Sequence, residues 1–221
     1  MECYKRLQRL LVLEGYNIGD YGPNKDGVDG DPGDKTLKAC TFYIKKMCKK
    51  YGYQFLENNI YSLRFSSEFT DKFSEIALVV DDKGKCVSIL PWTTKPGKYW
   101  ISNPVTVGGI KGTGCMKEGQ WLNSHRYEAT PKSKWGVAGY FIQHSMIEVY
   151  RDGNMDNKLD KNVVQKAPTW YGFFLHAMGS GRRIWNWSAG CNGAPLNEWK
   201  QKIDPYFDDG QIIHYTIFEI K

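Results

Sequence analysis

No run in this chain approaches the roughly 18 consecutive apolar residues that a membrane-spanning helix needs, so a helical span is not expected. The start, Met1-Glu2-Cys3-Tyr4-Lys5-Arg6, leads into an amphipathic segment and not into a signal-peptide apolar run, which predicts synthesis in a cytoplasm and release by another route. The 6 cysteines (Cys3, Cys40, Cys48, Cys86, Cys115 and Cys191) show neither a CxxC pair nor Cys/His ligand spacing; most read as free thiols, and one calls for a further explanation. Repeats and low-complexity segments are absent. So are helix-turn-helix, zinc-finger and RNA-binding signatures, and nucleic acid is therefore not an expected partner.

What the chain does have is a net charge of +6, spread along its length, which suits an anionic partner such as cell wall. Its 221 residues suffice for one large domain or a small and a medium one. Aromatic residues reach 14%, consistent with a β-rich core or with a glycan- or peptide-binding surface.

Tyr4, Leu7, Leu10 and Leu11 have the spacing of a helix burying one face, ended by Gly15. A Gly/Asp-rich stretch follows (residues 26–34). A second helix is predicted from Asp34, whose carboxylate caps it, through Leu37, Cys40, Ile44, Met47 and Cys48. Residues 53–72 lack clear periodicity and read as a connection. Ile76-Ala77-Leu78-Val79-Val80 and Cys86-Val87-Ser88-Ile89-Leu90 flank Asp81-Asp82-Lys83-Gly84, a hairpin signature. Further strands are expected at 99–101, 140–142, 147–150, 173–175 and 212–218, with a helix near 196–203. The expected fold class is α+β: a small N-terminal helical module (residues 1–52), the connection, and a β-rich domain (residues 73–221).

A thiol becomes a useful nucleophile when a base favours its thiolate and backbone amides wait for the oxyanion. Phe173-Phe174-Leu175-His176 puts a histidine at the end of an apolar strand. Ser188-Ala189-Gly190-Cys191 supplies a small-residue turn ending in cysteine, with Gly190 free to aim its amides. Between them, Gly179-Ser180-Gly181, Arg182, Arg183, Trp185 and Trp187 form a candidate groove wall. The tryptophans could stack on substrate or pack the loop. The arginines could meet carboxylates or be solvated.

Two resemblances sharpen this reading. Leu7-Gln8 with Gly15-Tyr16, then Val28-Asp29-Gly30, Gly33, Thr36-Leu37 and Ala39, resembles the peptidoglycan-binding-domain-1 repeat. His176 followed by Ser188, Gly190 and Cys191 is similar to the L,D-transpeptidase signature. Thr93-Thr94-Lys95-Pro96-Gly97-Lys98-Tyr99 looks like the Thr-Pro-x-Gly-x-Tyr/Phe element that precedes it in that family. Ala189 and Gly193 depart from the usual His and Arg/Asn. The Ser-Ala-Gly-Cys form, with Tyr150-Arg151-Asp152 upstream, resembles a divergent phage-encoded branch. The resemblance implies a cysteine enzyme acting on peptidoglycan stem peptides through a thioester at Cys191, with His176 as base and amides near Gly190 and Cys191 at the oxyanion. Hydrolysis and transpeptidation both stay open. The setting implied is a phage-type lytic or virion-borne wall enzyme that needs no cofactor; the alternative is a non-catalytic wall-binding or virion structural protein.

Asp152, Asn154, Asp156 and Asp160 place oxygens at alternate positions, as in the first part of a calcium loop, although Val163 stands where the closing Glu belongs. A polar hairpin turn is the other reading. His125 could line the groove or occupy a surface loop, and His144 and His214 read as core or surface histidines.

Overall fold

The hydrophobic spacing near the N-terminus produces two helices, α1 (Glu2–Leu13) and α2 (Asp34–Tyr51). The computed structural model describes residues 2–130, 138–154, 156 and 158–220. After the helices come β1 (Asn59–Arg64), β2 (Glu75–Val80), β3 (Cys86–Trp92), α3 (Lys98–Ser102), β4 (Thr113–Met116), β5 (Gly119–Glu128), β6 (Tyr140–Gln143) and β7 (Ile147–Asp152). β8 (Val164–Ala167), β9 (Leu175–Ala177), β10 (Asn192–Ala194), α4 (Leu196–Lys202) and β11 (Ile212–Glu219) complete the order. Mixed α and β structure dominated by a large sheet agrees with the expected α+β class.

Tyr4, Leu7 and Leu11 of α1 and Ala39, Cys40, Tyr43, Ile44, Met47 and Cys48 of α2 are buried, at the three- and four-residue spacing of one helix face. They do not form a bundle of their own. Their apolar faces share one core with Tyr61, Leu63, Ile76, Leu78, Val80, Ile89 and Phe218 of the sheet. The Gly/Asp loop is clamped to α1 by Gln8, whose Nε2 donates to Asp29 Oδ1 at 2.7 Å and whose Oε1 accepts from the Gly30 amide at 2.7 Å. Asp34 does not cap α2: Gly33 is the N-cap and no side chain bonds there. The Asp34 carboxylate lies in the first turn, where it still faces the positive end of the helix dipole.

The main sheet runs β10-β9-β6-β5-β11-β1-β2-β3, and a second sheet runs β4-β7-β8. β1 pairs parallel to β11 and β10 parallel to β9, while the other pairs of the main sheet are antiparallel. Its two edge strands meet. The Thr93 amide donates to Gly193 O at 2.8 Å and the Gly193 amide to Thr93 O at 3.0 Å, closing the sheet on itself along a seam between the end of β3 and β10. Inside lies a polar knot: Tyr215 Oη takes hydrogen bonds from Trp92 Nε1 at 3.0 Å and Asn192 Nδ2 at 2.9 Å, and meets Ser62 Oγ at 2.7 Å.

Three expectations are corrected. The stretch 53–72 contains β1, which sits centrally between β11 and β2. Tyr99-Trp100-Ile101 is helical, because Gly97 O accepts from the amides of Trp100 and Ile101 and starts a turn. The strand expected at 173–175 begins at Leu175 instead.

Candidate active site

The element around Thr93–Tyr99 and the turn around Ser188–Cys191 are far apart in sequence and adjacent in space. Besides the Thr93–Gly193 pair, the Gly97 amide donates to Ser188 O at 2.9 Å and Ser188 Oγ reaches Lys95 O at 3.5 Å. A Cβ on Gly97 would collide with the Trp185 carbonyl, so only glycine lets the segments close up. The element is itself anchored by buried charge. Lys95 pairs with Glu75 at 3.0 Å, both almost fully buried. Glu75 Oε2 accepts the Thr94 amide at 2.6 Å, and Arg64 Nε donates to Thr94 Oγ1 at 2.8 Å.

Ser188 shapes the turn. Its hydroxyl accepts the Gly190 amide at 3.1 Å and donates to Cys191 O at 2.6 Å. The Gly190 amide, one of the two expected at the oxyanion, thus serves the turn. Gly190 has φ +135°, and a Cβ there would come within 2.6 Å of Gly114 O and of the Phe173 ring. Cys191 is the one cysteine of the six that is not buried. Its Sγ accepts the Phe174 amide at 3.4 Å and lies 3.6 Å from Gly172 O. It also packs against the small cluster formed by Phe73, Met178 and Ile184.

His176 lies on β9 opposite Gly193, between Tyr140 on one side and β10 on the other. The thiol meets the Phe174 amide, two residues before His176 in the chain, and packs against the cluster that contains Met178, two residues after it. Gly193 packs tightly on β9, since a Cβ there would strike the His176 carbonyl oxygen. His176 Nδ1 is 2.8 Å from Ala177 O. A carbonyl can only accept, so Nδ1 carries the hydrogen and Nε2 keeps its lone pair. Burial pushes the His176 pKa down to about 4, partly opposed by that carbonyl, and the ring is neutral at pH 7.

Beside the thiol is a cavity of about 100 Å³ lined by Val105, Val107, Arg151, Tyr171, Gly172, Phe173, Ala189 and Cys191. Trp185, Trp187, Arg182 and Arg183 do not line it. They sit exposed on the 179–188 loop, which is pinned through Asp71 Oδ1 to the Trp185 and Lys98 amides at 2.8 and 2.9 Å. Trp185 packs on Tyr99 instead. His125 is corrected: it is fully buried in β5, with Nδ1 2.8 Å from Ser124 Oγ and Nε2 3.0 Å from Phe173 O, and is closed to substrate. Burial lowers its pKa to about 4.

The calcium-like series divides between a strand and a loop. Asp152 is buried in β7, whereas Asn154, Asp156 and Asp160 each accept the backbone amide two residues on, at 3.2, 2.9 and 3.0 Å. Such turns are what Asx side chains make in loops. Among the described residues, no group of three or more His, Cys, Asp or Glu could hold a metal ion.

Arg151, Tyr171, Val105 and Val107 were not anticipated as site residues. The signal available was a lone arginine following Ile147-Glu148-Val149-Tyr150, a charge where a strand in a packed sheet should carry an apolar residue. The chain matches no family model, no curated protein and no solved structure.

Proposed function

We propose that the chain is a cysteine enzyme that acts on the peptide stems of bacterial cell wall through an acyl-thioester at Cys191. The observation that carries this reading is the meeting of two sequence elements, Thr93–Tyr99 and Ser188–Cys191, at the seam of the closed sheet. Each on its own resembles part of one catalytic signature. Their contact around the least buried cysteine supports a shared site.

The chemistry follows from the groups present. Cys191 Sγ attacks the carbonyl carbon of a stem amide while its proton passes to His176 Nε2. The tetrahedral intermediate collapses, the C–N bond breaks, and the departing amine takes the proton from Nε2. Water or a second amine then attacks the thioester, giving its proton to His176, and the thiol is regenerated by that proton. A neutral, buried His176 suits a general base acting at the moment of attack and not a standing imidazolium–thiolate pair. Peptidoglycan is the partner and no cofactor takes part. Release is by a phage-type lytic or virion-borne route, with the N-terminal helices adding a wall-facing surface.

Digestion of purified sacculi tests the reading. Cys191→Ala should abolish soluble or cross-linked product, by at least about 10³-fold given what a lost nucleophile costs. Unchanged turnover in that variant would overturn the mechanism, and no turnover in the wild type together with tight sacculus binding would favour a non-catalytic wall-binding protein.

A further inference from the structure

The rings that stay outside the cavity form a surface of their own. Tyr99, Trp185 and Trp187 are 41%, 48% and 44% exposed, on two segments that pack together. Tyr99 and Trp185 meet with ring centroids 6.4 Å apart at 54°, splayed so that neither covers the other. Large aromatic side chains gathered in water mark binding surfaces, because burying them is favourable. The backbone holds them there against its own preference. Trp185 has φ +49°, a left-handed conformation that a bulky side chain rarely adopts. It is fixed by Asp71, whose Oδ1 takes the Trp185 amide and whose carbonyl takes the Ile184 amide at 3.3 Å. Trp100 Nε1 ties the same loop to α3 by donating to Asn186 O at 2.9 Å. The rings are thus set in place before any ligand arrives, which lowers the entropy cost of binding.

Charge says what kind of ligand. The segments that build this surface (69–74, 97–103 and 179–188) hold four cations, Lys72, Lys98, Arg182 and Arg183, and one carboxylate, Asp71. Lys72 and Arg183 face each other across an antiparallel bridge, and like charges placed opposite repel until an anion joins them. Aromatic planes suit the C–H face of a sugar ring, and the cations suit carboxylates. A glycan strand whose rings carry stem peptides offers both in one polymer. The surface is also continuous with the thiol site: its loop runs into the Ser188–Cys191 turn, and the chain after α3 supplies Val105 and Val107 to the cavity beside Cys191. We propose that Tyr99, Trp185 and Trp187 stack on the sugar rings of a peptidoglycan strand while the four cations meet the carboxylates of its stems. The strand is then held as one stem reaches Cys191. This rests on cell wall being the substrate, and adds that the strand itself, and not the stem alone, is recognised.

Binding is measured by calorimetry in a Cys191→Ala background, so that nothing turns over, against two soluble probes: glycan strands stripped of their stems by an amidase, and the same strands with stems kept. Both should bind, the stem-bearing strand more tightly and with the steeper salt dependence. Trp185→Ala and Tyr99→Ala should each weaken both strands by about 2- to 10-fold. Arg182→Gln/Arg183→Gln should cancel the advantage of the stem-bearing strand and leave the affinity for the stripped one in place. Failure of the stripped strand to bind would overturn the proposal without any surface variant, and would leave the surface to a protein partner. So would affinity that survives both ring variants unchanged, the result expected if the N-terminal helices held the wall. The two readings fail separately. If wild type and Cys191→Ala digested sacculi alike while ring-dependent binding held, the nucleophile assignment would fall and the glycan surface would stand. If Cys191 proved essential while strand affinity ignored Trp185 and Tyr99, the reverse would follow.

Discussion

Cys191 differs from the other cysteines by exposure. Cys3, Cys40, Cys48, Cys86 and Cys115 are buried, and burial raises the thiol pKa at Cys3, Cys40, Cys48 and Cys115. Native iodoacetamide treatment should therefore modify one site, found by peptide mapping at Cys191; rapid labelling at a second cysteine would contradict the burial pattern. His176 and His125 give a sign-definite pH dependence. Both have native pKa values near 4, below the ordinary value of about 6.5, so between those limits the unfolded chain binds more protons and stability falls as pH drops. Each contributes a slope of up to about 1.4 kcal/mol per pH unit in that window, and none above it. Denaturant titrations of His125→Gln should show the slope reduced by one such contribution. An unchanged slope would mean His125 is not held neutral. The two patterns behind the proposed pair, a histidine on a strand and a small-residue turn ending in Cys191, were legible in the sequence because both are local. The burial of Arg151 was not, since the room for a guanidinium inside the sheet appears only once Gly114 and Gln165 are set around it.

At the scale of elements, the hairpin of β2 and β3, the strands β6, β7 and β11, and the helices α1, α2 and α4 followed from apolar spacing and turn residues. β1 did not. Asn59, Ser62 and Arg64 make it look polar, yet all of its residues are buried because those side chains bond inward to Thr216, Tyr215 and Thr94. The seam depends on similar internal satisfaction. Glu75 and Lys95 are a buried ion pair that holds the Thr94–Lys95 backbone beside the Cys191 turn. Glu75→Gln should cost about 3–5 kcal/mol by leaving Lys95 uncompensated. It should also slow the reaction more than a destabilising change elsewhere. Thermal unfolding with parallel kinetics checks both, and a loss under about 1 kcal/mol would remove the pair from its anchoring role.

Taken whole, the molecule is a closed sheet with α1 and α2 built onto one of its faces, and β4, β7 and β8 forming a second sheet beside the thiol. The residues resembling a wall-binding repeat also have a structural duty, for Gln8 ties Asp29 and Gly30 to α1. Leu7 is fully buried in the core the helices share with the sheet. Leu7→Ala should cost about 2–5 kcal/mol and lower a single cooperative transition of the whole chain. Two separate transitions, with the site's melting unmoved, would show the helices to be an independent module. No helix among the described residues is long and apolar enough to cross a membrane.

The central claim is covalent chemistry at Cys191. Rapid-quench intact-mass and peptide-mapping spectrometry during turnover of a stem peptide tests it directly. An acyl adduct is expected on the Cys191 peptide, absent in Cys191→Ala, accumulating where attack on the thioester is slow and released by hydroxylamine. Product formed at full rate with no adduct at Cys191, or with the adduct on another residue, would contradict it.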